Sequence, residues 1–164
     1  MRVQDKIAIV VGAGQTSGET IGNGRATALL LAREGATVLA VDRDLASAEE
    51  TCALITAEGG TAQPLRADIT VEDDCRAIAA AAVERWERID VLVNNVGIGT
   101  GDAGSTSLTE DAFDRIHTVN LKGPWMTCKH VLPVMRSQGF GAIVNISSVA
   151  AVCSTSFLAY KTSK

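Results

Sequence analysis

The fold is indicated by residues 6–24, which read KIAIVVGAGQTSGETIGNG. After its first residue this stretch is apolar and β-branched as far as Gly12, which is typical of a short strand buried on both faces. A glycine-rich loop follows, and residues 25–34 have the composition of a helix. Residues 37–41 are a second apolar run, which ends in Asp42. This succession of strand, glycine loop, helix, strand and acid predicts a unit that binds a dinucleotide.

The glycines have a physical reason, because a bare backbone lets a pyrophosphate reach the N–H groups and the positive end of the following helix. The loop does not follow the usual G-x-G-x-x-G pattern, since Ser17 stands in the third glycine position. Gly22 and Gly24 would be costly inside a helix, so we expect the helix to begin near Gly24. The residues between Gly12 and Gly22 then form an enlarged loop.

Asp42 lies about 20 residues beyond the predicted helix start, where a ribose-binding acid is expected. A carboxylate there binds both ribose hydroxyls and repels a 2′-phosphate, so the sequence favours NAD over NADP. Two alternatives stay open. Asp42 could cap the next helix, although Asp44 is better placed to do so, and the guanidinium of Arg43 could accept a 2′-phosphate.

The rest of the chain continues to alternate strands and helices. Further strands are predicted at residues 61–68, 89–95 and 141–147, and further helices at 45–58, 72–87, 108–120, 123–138 and from about 157. This alternation predicts an α/β fold of the Rossmann type, with a doubly wound parallel sheet in three α/β/α layers and one domain over residues 1–164. Ligands bind beyond the carboxyl ends of such strands. Polar or glycine positions at those ends are Gly12, Asp42, Asp68, Asn94 and Ser147-Ser148.

Composition excludes several classes of partner. The net charge is −4 and the basic residues are scattered, which argues against nucleic acid. The four cysteines lack metal-ligand or disulfide spacing, so neither a metal nor a disulfide framework is expected. No apolar run reaches the roughly 18 residues of a membrane helix. No signal-peptide core is visible, and a cytoplasmic location is the default expectation.

Tyr160 and Lys164 are four residues apart, which places them on one face of a helix. An ammonium group one turn from a phenol favours the phenolate, so the pair could transfer a proton. Ser147 or Ser148 upstream could polarise a substrate oxygen. The Tyr-x-x-x-Lys spacing alone is common and also fits an ordinary surface helix; the dinucleotide-binding pattern favours the functional interpretation.

Over essentially its whole length the chain resembles the short-chain dehydrogenase/reductase family. The resemblance rests on the glycine loop, Asp42, Asp68-Ile69-Thr70, Asn94-Asn95-Val96-Gly97, Val119-Asn120, residues 144–148, and Tyr160 with Lys164. It implies a sheet order 3-2-1-4-5-6-7 and a nicotinamide cofactor. It also implies an NAD-dependent oxidoreductase that interconverts a secondary alcohol and a ketone, and a homodimer or homotetramer when full length.

The resemblance further implies roles for single residues. Tyr160 would be the general acid/base on the substrate oxygen, Lys164 would favour its phenolate and hold the nicotinamide ribose, and Ser148 would hydrogen-bond the substrate oxygen. Asn120 would hold a water that links Lys164 to solvent, and Asp68 would contact the adenine. The implied cofactor contacts are Gly12, Gly22, Gly24, Asp42, Asp68, Ile69, Asn94, Val96, Gly97, Tyr160 and Lys164.

The chain departs from the family pattern in four local features. Val11 replaces the usual Thr, the glycine loop is longer, Val96 replaces the usual Ala, and Ser148 is one residue closer to Tyr160 than usual. Ser147 therefore stays a candidate for the same role.

The chain ends at Lys164, whereas the family runs to about 250 residues. We therefore expect a C-terminally incomplete domain that lacks the last strands and the substrate lid, and that is poorly folded and inactive alone. Two other functions stay open. One is a non-catalytic dinucleotide-binding or scaffold protein of the same fold. The other is an enoyl-thioester reductase, which shares a lengthened glycine loop but sets its Tyr and Lys further apart.

Overall fold

The fold is given by a computed structural model that describes residues 1–16, 18, 20–154 and 156–164. Ser17, which stands in the third glycine position of the predicted pattern, lies outside these residues. Five strands form one sheet in the order β3-β2-β1-β4-β5, and every neighbouring pair is parallel. The strands are β1 (Ile7–Val11), β2 (Thr37–Asp42), β3 (Thr61–Arg66), β4 (Val91–Asn94) and β5 (Ala142–Asn145). The predicted parallel Rossmann-type sheet is confirmed.

Six α-helices connect or follow the strands in the described parts of the chain. They are α1 (Asn23–Arg33), α2 (Leu45–Ala57), α3 (Glu72–Trp86), α4 (Glu110–His117), α5 (Gly123–Gln138) and α6 (Ala159–Ser163). A π-helical turn, Thr118–Lys122, connects α4 directly to α5, and a 3₁₀ turn, Val149–Ala151, follows β5. The sequence predicted two separate helices around Asn120, whereas the structure has one nearly continuous helix with a local widening. Such widenings are frequent at functional sites.

Two apolar clusters, one on each face of the sheet, form the core. All five residues of β1 are buried, because helices cover both of its faces. Ile9 and Leu39 pack with α3 and α5 residues such as Ile78. Val10 faces the opposite way and packs with α1 and α2 residues such as Ile55. The alternation of side chains along the strands thus produces the three predicted layers.

The two edge strands differ in character. β3 carries Pro64 and lies at an edge of the sheet, where a residue without an N–H group is tolerated. β5 pairs with β4 on one side, and among the described residues no strand covers its other side. Val144 at the centre of β5 is 47% exposed, in contrast to the buried residues of β1. The carboxyl end of β5 lies beside that of β4, and the residues that follow both strands line the site described below.

Membrane-spanning helices, clusters of metal-ligating side chains and disulfides are all absent from the same described residues. No helix in the described ranges is long and apolar enough to cross a membrane. No group of three or more potential metal-ligating side chains comes together there either. All four cysteines are free thiols.

Candidate active site

A cleft of about 850 Å³ lies at the carboxyl ends of the strands. This volume is within the range of about 300–1,000 Å³ that small-molecule sites occupy. The predicted site residues that line it are Gly12, Gly22, Gly24, Asp42, Asp68, Ile69, Val96, Gly97, Ser147, Ser148, Tyr160 and Lys164. Asn94 and Asn120 are not brought to this cleft. They line a neighbouring cavity of about 330 Å³, which shares Lys164 with it.

The glycine loop approaches the first helix very closely. Gly12 has a φ of +79°, a left-handed conformation that favours glycine. A Cβ atom on Gly24 would lie 1.8 Å from the carbonyl oxygen of Gly12. Gly22 is less constrained, since its Cβ would meet the side chain of Gln15 at an ordinary 3.5 Å. The predicted helix start near Gly24 is confirmed, because α1 begins at Asn23 with Gly22 as its N-cap.

Gln15 closes the enlarged part of the glycine loop. Its side-chain oxygen accepts a hydrogen bond from the N–H of Gly22 at 2.7 Å, and its side-chain nitrogen donates to the carbonyls of Thr16 and Thr20 at 2.8 Å. Its own N–H donates to the hydroxyl of Ser47 in α2 at 2.6 Å. Gln15 therefore connects the helix start, the loop and α2, a role that no sequence pattern predicted.

Asp42 faces the glycine loop from the end of β2. Its carboxylate accepts hydrogen bonds from the N–H of Gly14 at 2.9 Å and from the N–H of Asp44 at 3.1 Å. Asp44 in turn caps α2 by accepting from Ala46, so the capping role falls to Asp44, as the sequence favoured. Arg43, the residue that could accept a 2′-phosphate, also lines the cleft. A carboxylate and a guanidinium thus both line the cleft at the end of β2.

Asp68 carries a negative charge on the next wall of the cleft. Burial opposes ionisation of this carboxyl, but hydrogen bonds from the N–H of Thr70 at 2.9 Å and its hydroxyl at 2.7 Å outweigh burial and lower the pKa of Asp68. The positive charges of Arg43 and Arg66 act in the same direction. The adjacent Ile69 is buried against Gly123 at the start of α5.

The two asparagines at the end of β4 turn to opposite sides of the sheet. Asn94 is buried and points toward α5, where its oxygen accepts from the hydroxyl of Thr127 at 2.7 Å and its nitrogen donates to Asn145 at 2.9 Å. Asn95 points toward the glycine loop and donates to the carbonyl of Gly12 at 3.3 Å. Asn95, which the predicted set did not include, is therefore the amide that lines the cleft.

Asn120 lies in the π-helical turn and ties it to the loop after β4. Its oxygen accepts from the N–H of Ile98 at 2.8 Å, and its nitrogen donates to the carbonyl of Ile98 at 2.9 Å. The same nitrogen donates to the hydroxyl of Ser163 in α6 at 2.9 Å. Asn120 thus holds three segments together beneath Tyr160 and Lys164. Whether it also holds a water stays a prediction of the family resemblance.

Lys164 is anchored between the ends of two strands. Its ammonium donates to the carbonyl of Val96 at 3.1 Å and to that of Ile146 at 3.2 Å. The same nitrogen lies 5.8 Å from the centre of the Tyr160 ring. Burial lowers the pKa of Lys164. A Cβ on Gly97 would lie 2.6 Å from this nitrogen, so Gly97 provides the space that the lysine occupies.

The two candidate serines make different contacts. Ser147 donates its hydroxyl proton to the carbonyl of Lys164 at 2.8 Å. The Ser148 hydroxyl accepts from the N–H of Ala150 at 3.2 Å and so caps the 3₁₀ turn. That bond uses a lone pair of the oxygen and not its proton. Ser148 is therefore better suited than Ser147 to donate to a substrate oxygen.

The fold and the cleft together define a Rossmann-type protein whose strand ends carry a glycine loop, acidic side chains and a Tyr–Lys pair. The chain belongs to the short-chain dehydrogenase family, whose model matches residues 6–164. This confirms the resemblance found in the sequence.

Three similar proteins illustrate this membership. The 3-oxoacyl-[acyl-carrier-protein] reductase FabG of Thermotoga maritima is 39% identical over 155 residues, which are 93% of this chain and 59% of that relative. A metagenomic short-chain oxidoreductase solved in complex with NADP is 31% identical with a TM-score of 0.90, covering 100% of this chain and 72% of that one. A 7α-hydroxysteroid dehydrogenase solved with NADH and 7-oxo glycochenodeoxycholic acid is 31% identical with a TM-score of 0.89. The match covers 99% of this chain and 61% of that one.

Proposed function

We propose that this chain is the cofactor-binding and catalytic part of an NAD-dependent oxidoreductase that interconverts a secondary alcohol and a ketone. The observation that carries the proposal is that Ser148, Tyr160 and Lys164 line the same cleft as the glycine loop. The side chains proposed to react and the loop proposed to bind a dinucleotide therefore lie in one site. Membership of the short-chain dehydrogenase family supports the same reaction class.

The residues of the cleft fit a dinucleotide. Gly12 and Gly24 carry no side chains and lie close together, so the backbone N–H groups at the start of α1 are open to a pyrophosphate. Asp42 would hold the ribose hydroxyls of the adenosine half and Asp68 the adenine. When bound, the nicotinamide supplies or accepts the hydride. The negative charge of Asp42 supports NAD over NADP, although Arg43 beside it offers a contact for a 2′-phosphate.

The chain's own side chains would handle the proton. In the oxidation direction, Tyr160 takes the proton of the substrate hydroxyl while the carbon-bound hydrogen leaves as hydride. Lys164, held by the carbonyls of Val96 and Ile146, places its ammonium group 5.8 Å from the centre of the Tyr160 ring. Ser148 donates to the substrate oxygen and stabilises the charge that develops there. In the reduction direction the same groups act in reverse.

The proposal extends to the assembled protein. Leu121 and Trp125, on the helix next to the open β5 edge, are each 56% exposed. The resemblance to the short-chain dehydrogenase/reductase family implies a homodimer or homotetramer, and we propose that these two side chains belong to its interface. A cytoplasmic location and a small-molecule substrate are parts of the same proposal.

Cofactor titration and a substrate panel test this function in the full-length protein that contains this chain. Calorimetry should show tighter binding of NADH than of NADPH, and Asp42→Ala should narrow that difference. NADH absorbance should then reveal turnover of at least one acyclic, alicyclic or steroid secondary alcohol or its ketone. Binding without turnover of any of them favours the non-catalytic dinucleotide-binding alternative. An absence of binding contradicts both.

A further inference from the structure

Asp102, in the loop between β4 and α4, makes an unusually large set of contacts with the start of α6. Its Oδ1 atom accepts from the N–H groups of Leu158 at 3.2 Å, Ala159 at 3.0 Å and Ala103 at 2.8 Å. Its Oδ2 atom accepts from the N–H of Tyr160 at 2.7 Å, the shortest of the four. One carboxylate therefore engages the three consecutive backbone N–H groups that lead into the helix carrying Tyr160 and Lys164.

These bonds supply what the start of α6 otherwise lacks. Leu158, the N-cap of α6, has no capping oxygen in its side chain. The first N–H groups of a helix have no partner within it, and a negative charge near them is stabilising. Hydrogen bonds to a carboxylate are also stronger than those between neutral groups. Asp102 thus acts as a cap that comes from a distant part of the chain.

The loop that carries Asp102 is itself held in place. Its neighbour Ala103 accepts a hydrogen bond from the N–H of Leu158 at 3.1 Å. Arg115 of α4 donates to the carbonyl of Thr100 in the same loop. A Cβ on Gly99 would be 3.5 Å from the Tyr160 ring, so this loop also runs alongside the reactive side chain. Asp102 is therefore fixed relative to α4 as well as to α6.

We propose that Asp102 is a positioning residue, which fixes the first turn of α6 and thereby places the phenol of Tyr160 in the cleft. This inference rests on the proposed function, because it assigns the catalytic proton transfer to Tyr160. Asp102 acts through the backbone and has no part in the proton transfer itself. Movement of the first turn would displace Tyr160 relative to Ser148, and a displacement of about 1 Å can cost about 100-fold in rate.

The ionisation of Asp102 agrees with this role. Burial opposes the charge, but the four backbone N–H groups outweigh it and lower the pKa of this carboxyl. The anchor is thus charged throughout the neutral range. Its strength should depend on the carboxylate and not merely on an oxygen atom at this position.

Three variants of the full-length protein test the proposal: Asp102→Ala, Asp102→Asn and the control Thr109→Ala. Thr109 caps the neighbouring helix α4 by accepting from Ala112 at 3.3 Å, and it does not line the cleft. The readouts are amide hydrogen exchange, NADH affinity, and kcat and KM for the best alcohol of the panel. Exchange at β1 amides reports whether each variant is folded.

Asp102→Ala should accelerate exchange at the Tyr160 amide and lower kcat by about 10- to 100-fold, with NADH affinity unchanged. Asp102→Asn keeps one acceptor oxygen but turns an N–H group toward other N–H groups, so its kcat should lie between those of Asp102→Ala and the wild type. Thr109→Ala should change neither the Tyr160 exchange nor kcat. If Asp102→Ala does not fold, the proposal is tested by Asp102→Asn, whose kcat should be lower than that of Thr109→Ala.

The proposal is overturned by unchanged exchange at Tyr160, by unchanged kcat in Asp102→Asn, or by an equal loss of kcat in Thr109→Ala. A failure of the proposed function looks different, because the wild-type protein would then turn over no alcohol or ketone of the panel. In that case exchange at the Tyr160 amide decides alone whether Asp102 anchors α6.

Discussion

Replacing Gly24 by alanine tests how the glycine loop is built. The added Cβ would lie 1.8 Å from the Gly12 carbonyl oxygen and 2.6 Å from the side-chain nitrogen of Asn95. Two of the crowded atoms belong to the backbone of Gly12, so no side-chain rotation relieves the clash. The start of α1 must instead move by more than an ångström away from β1, which also disturbs the surface proposed for the pyrophosphate.

The expected cost follows from these contacts. Overpacking a tight interior costs about 1–3 kcal/mol and sometimes more, and a backbone clash belongs at the upper end. The gain in helix propensity from glycine to alanine is at most about 1 kcal/mol. The net loss should be about 2 kcal/mol in the free energy of unfolding. At about 2–4 °C per kcal/mol for a chain of this size, Tm should fall by several degrees.

Gly22→Ala is the matched control. Its Cβ would meet Gln15 at 3.5 Å, an ordinary contact, and its φ of −70° suits any residue. Thermal unfolding and NADH titration of both variants in the full-length protein make the comparison. We expect Gly24→Ala to lose stability and NADH affinity, and Gly22→Ala to keep its Tm. A Gly24→Ala protein with the wild-type Tm would refute the close approach of loop and helix.

Three further predictions concern other parts of the chain. Asp90→Ala should lower the free energy of unfolding by about 1–3 kcal/mol in denaturant titrations, because the buried N–H of Ile7, which now donates to Asp90 at 2.8 Å, loses its acceptor; an unchanged midpoint would contradict this. The lowered pKa of Asp102 contributes stability that is present above the ordinary carboxyl value of about 3.9 and is lost as pH falls through the folded value. Asp102→Ala should therefore show a shallower acid decline of Tm than the wild type, and parallel declines would count against the anchor. Burial raises the pKa of the Cys75 thiol to about 11, whereas Cys153 is exposed. Mass spectrometry after alkylation at neutral pH should find Cys153 labelled first and Cys75 only after unfolding; the opposite order would be inconsistent with this fold.

The sheet was predictable because its signals are local. Residues 7–11 and 37–41 are apolar and β-branched, and buried parallel strands require this composition. The helix start at Asn23 followed from the cost of Gly22 and Gly24 inside a helix. The order of the five strands followed from the family resemblance, and the comparison with known proteins confirmed that resemblance.

The lining of the cleft was predictable where a residue belongs to a strand end, to the glycine loop or to the Tyr-x-x-x-Lys spacing. Asn94 and Asn95 both stand at such an end, but successive residues of a strand point to opposite faces, so only Asn95 faces the cleft. The alternation of side chains along a strand could therefore have predicted that Asn95, and not Asn94, lines the cleft. Asp102 gave no comparable signal, because its partners in α6 lie 56 to 58 residues further along the chain. Contacts of such separation depend on how a loop closes over the folded sheet.

In the proposed function, Tyr160 transfers the substrate proton beside a bound nicotinamide. This step is tested most directly by comparing Tyr160→Phe with the wild type in the full-length protein, measuring kcat and NADH affinity together. Loss of a general acid/base should lower kcat by about 100- to 10,000-fold, while the ring that remains keeps NADH binding unchanged. A Tyr160→Phe protein with the wild-type kcat would remove Tyr160 from the proton transfer.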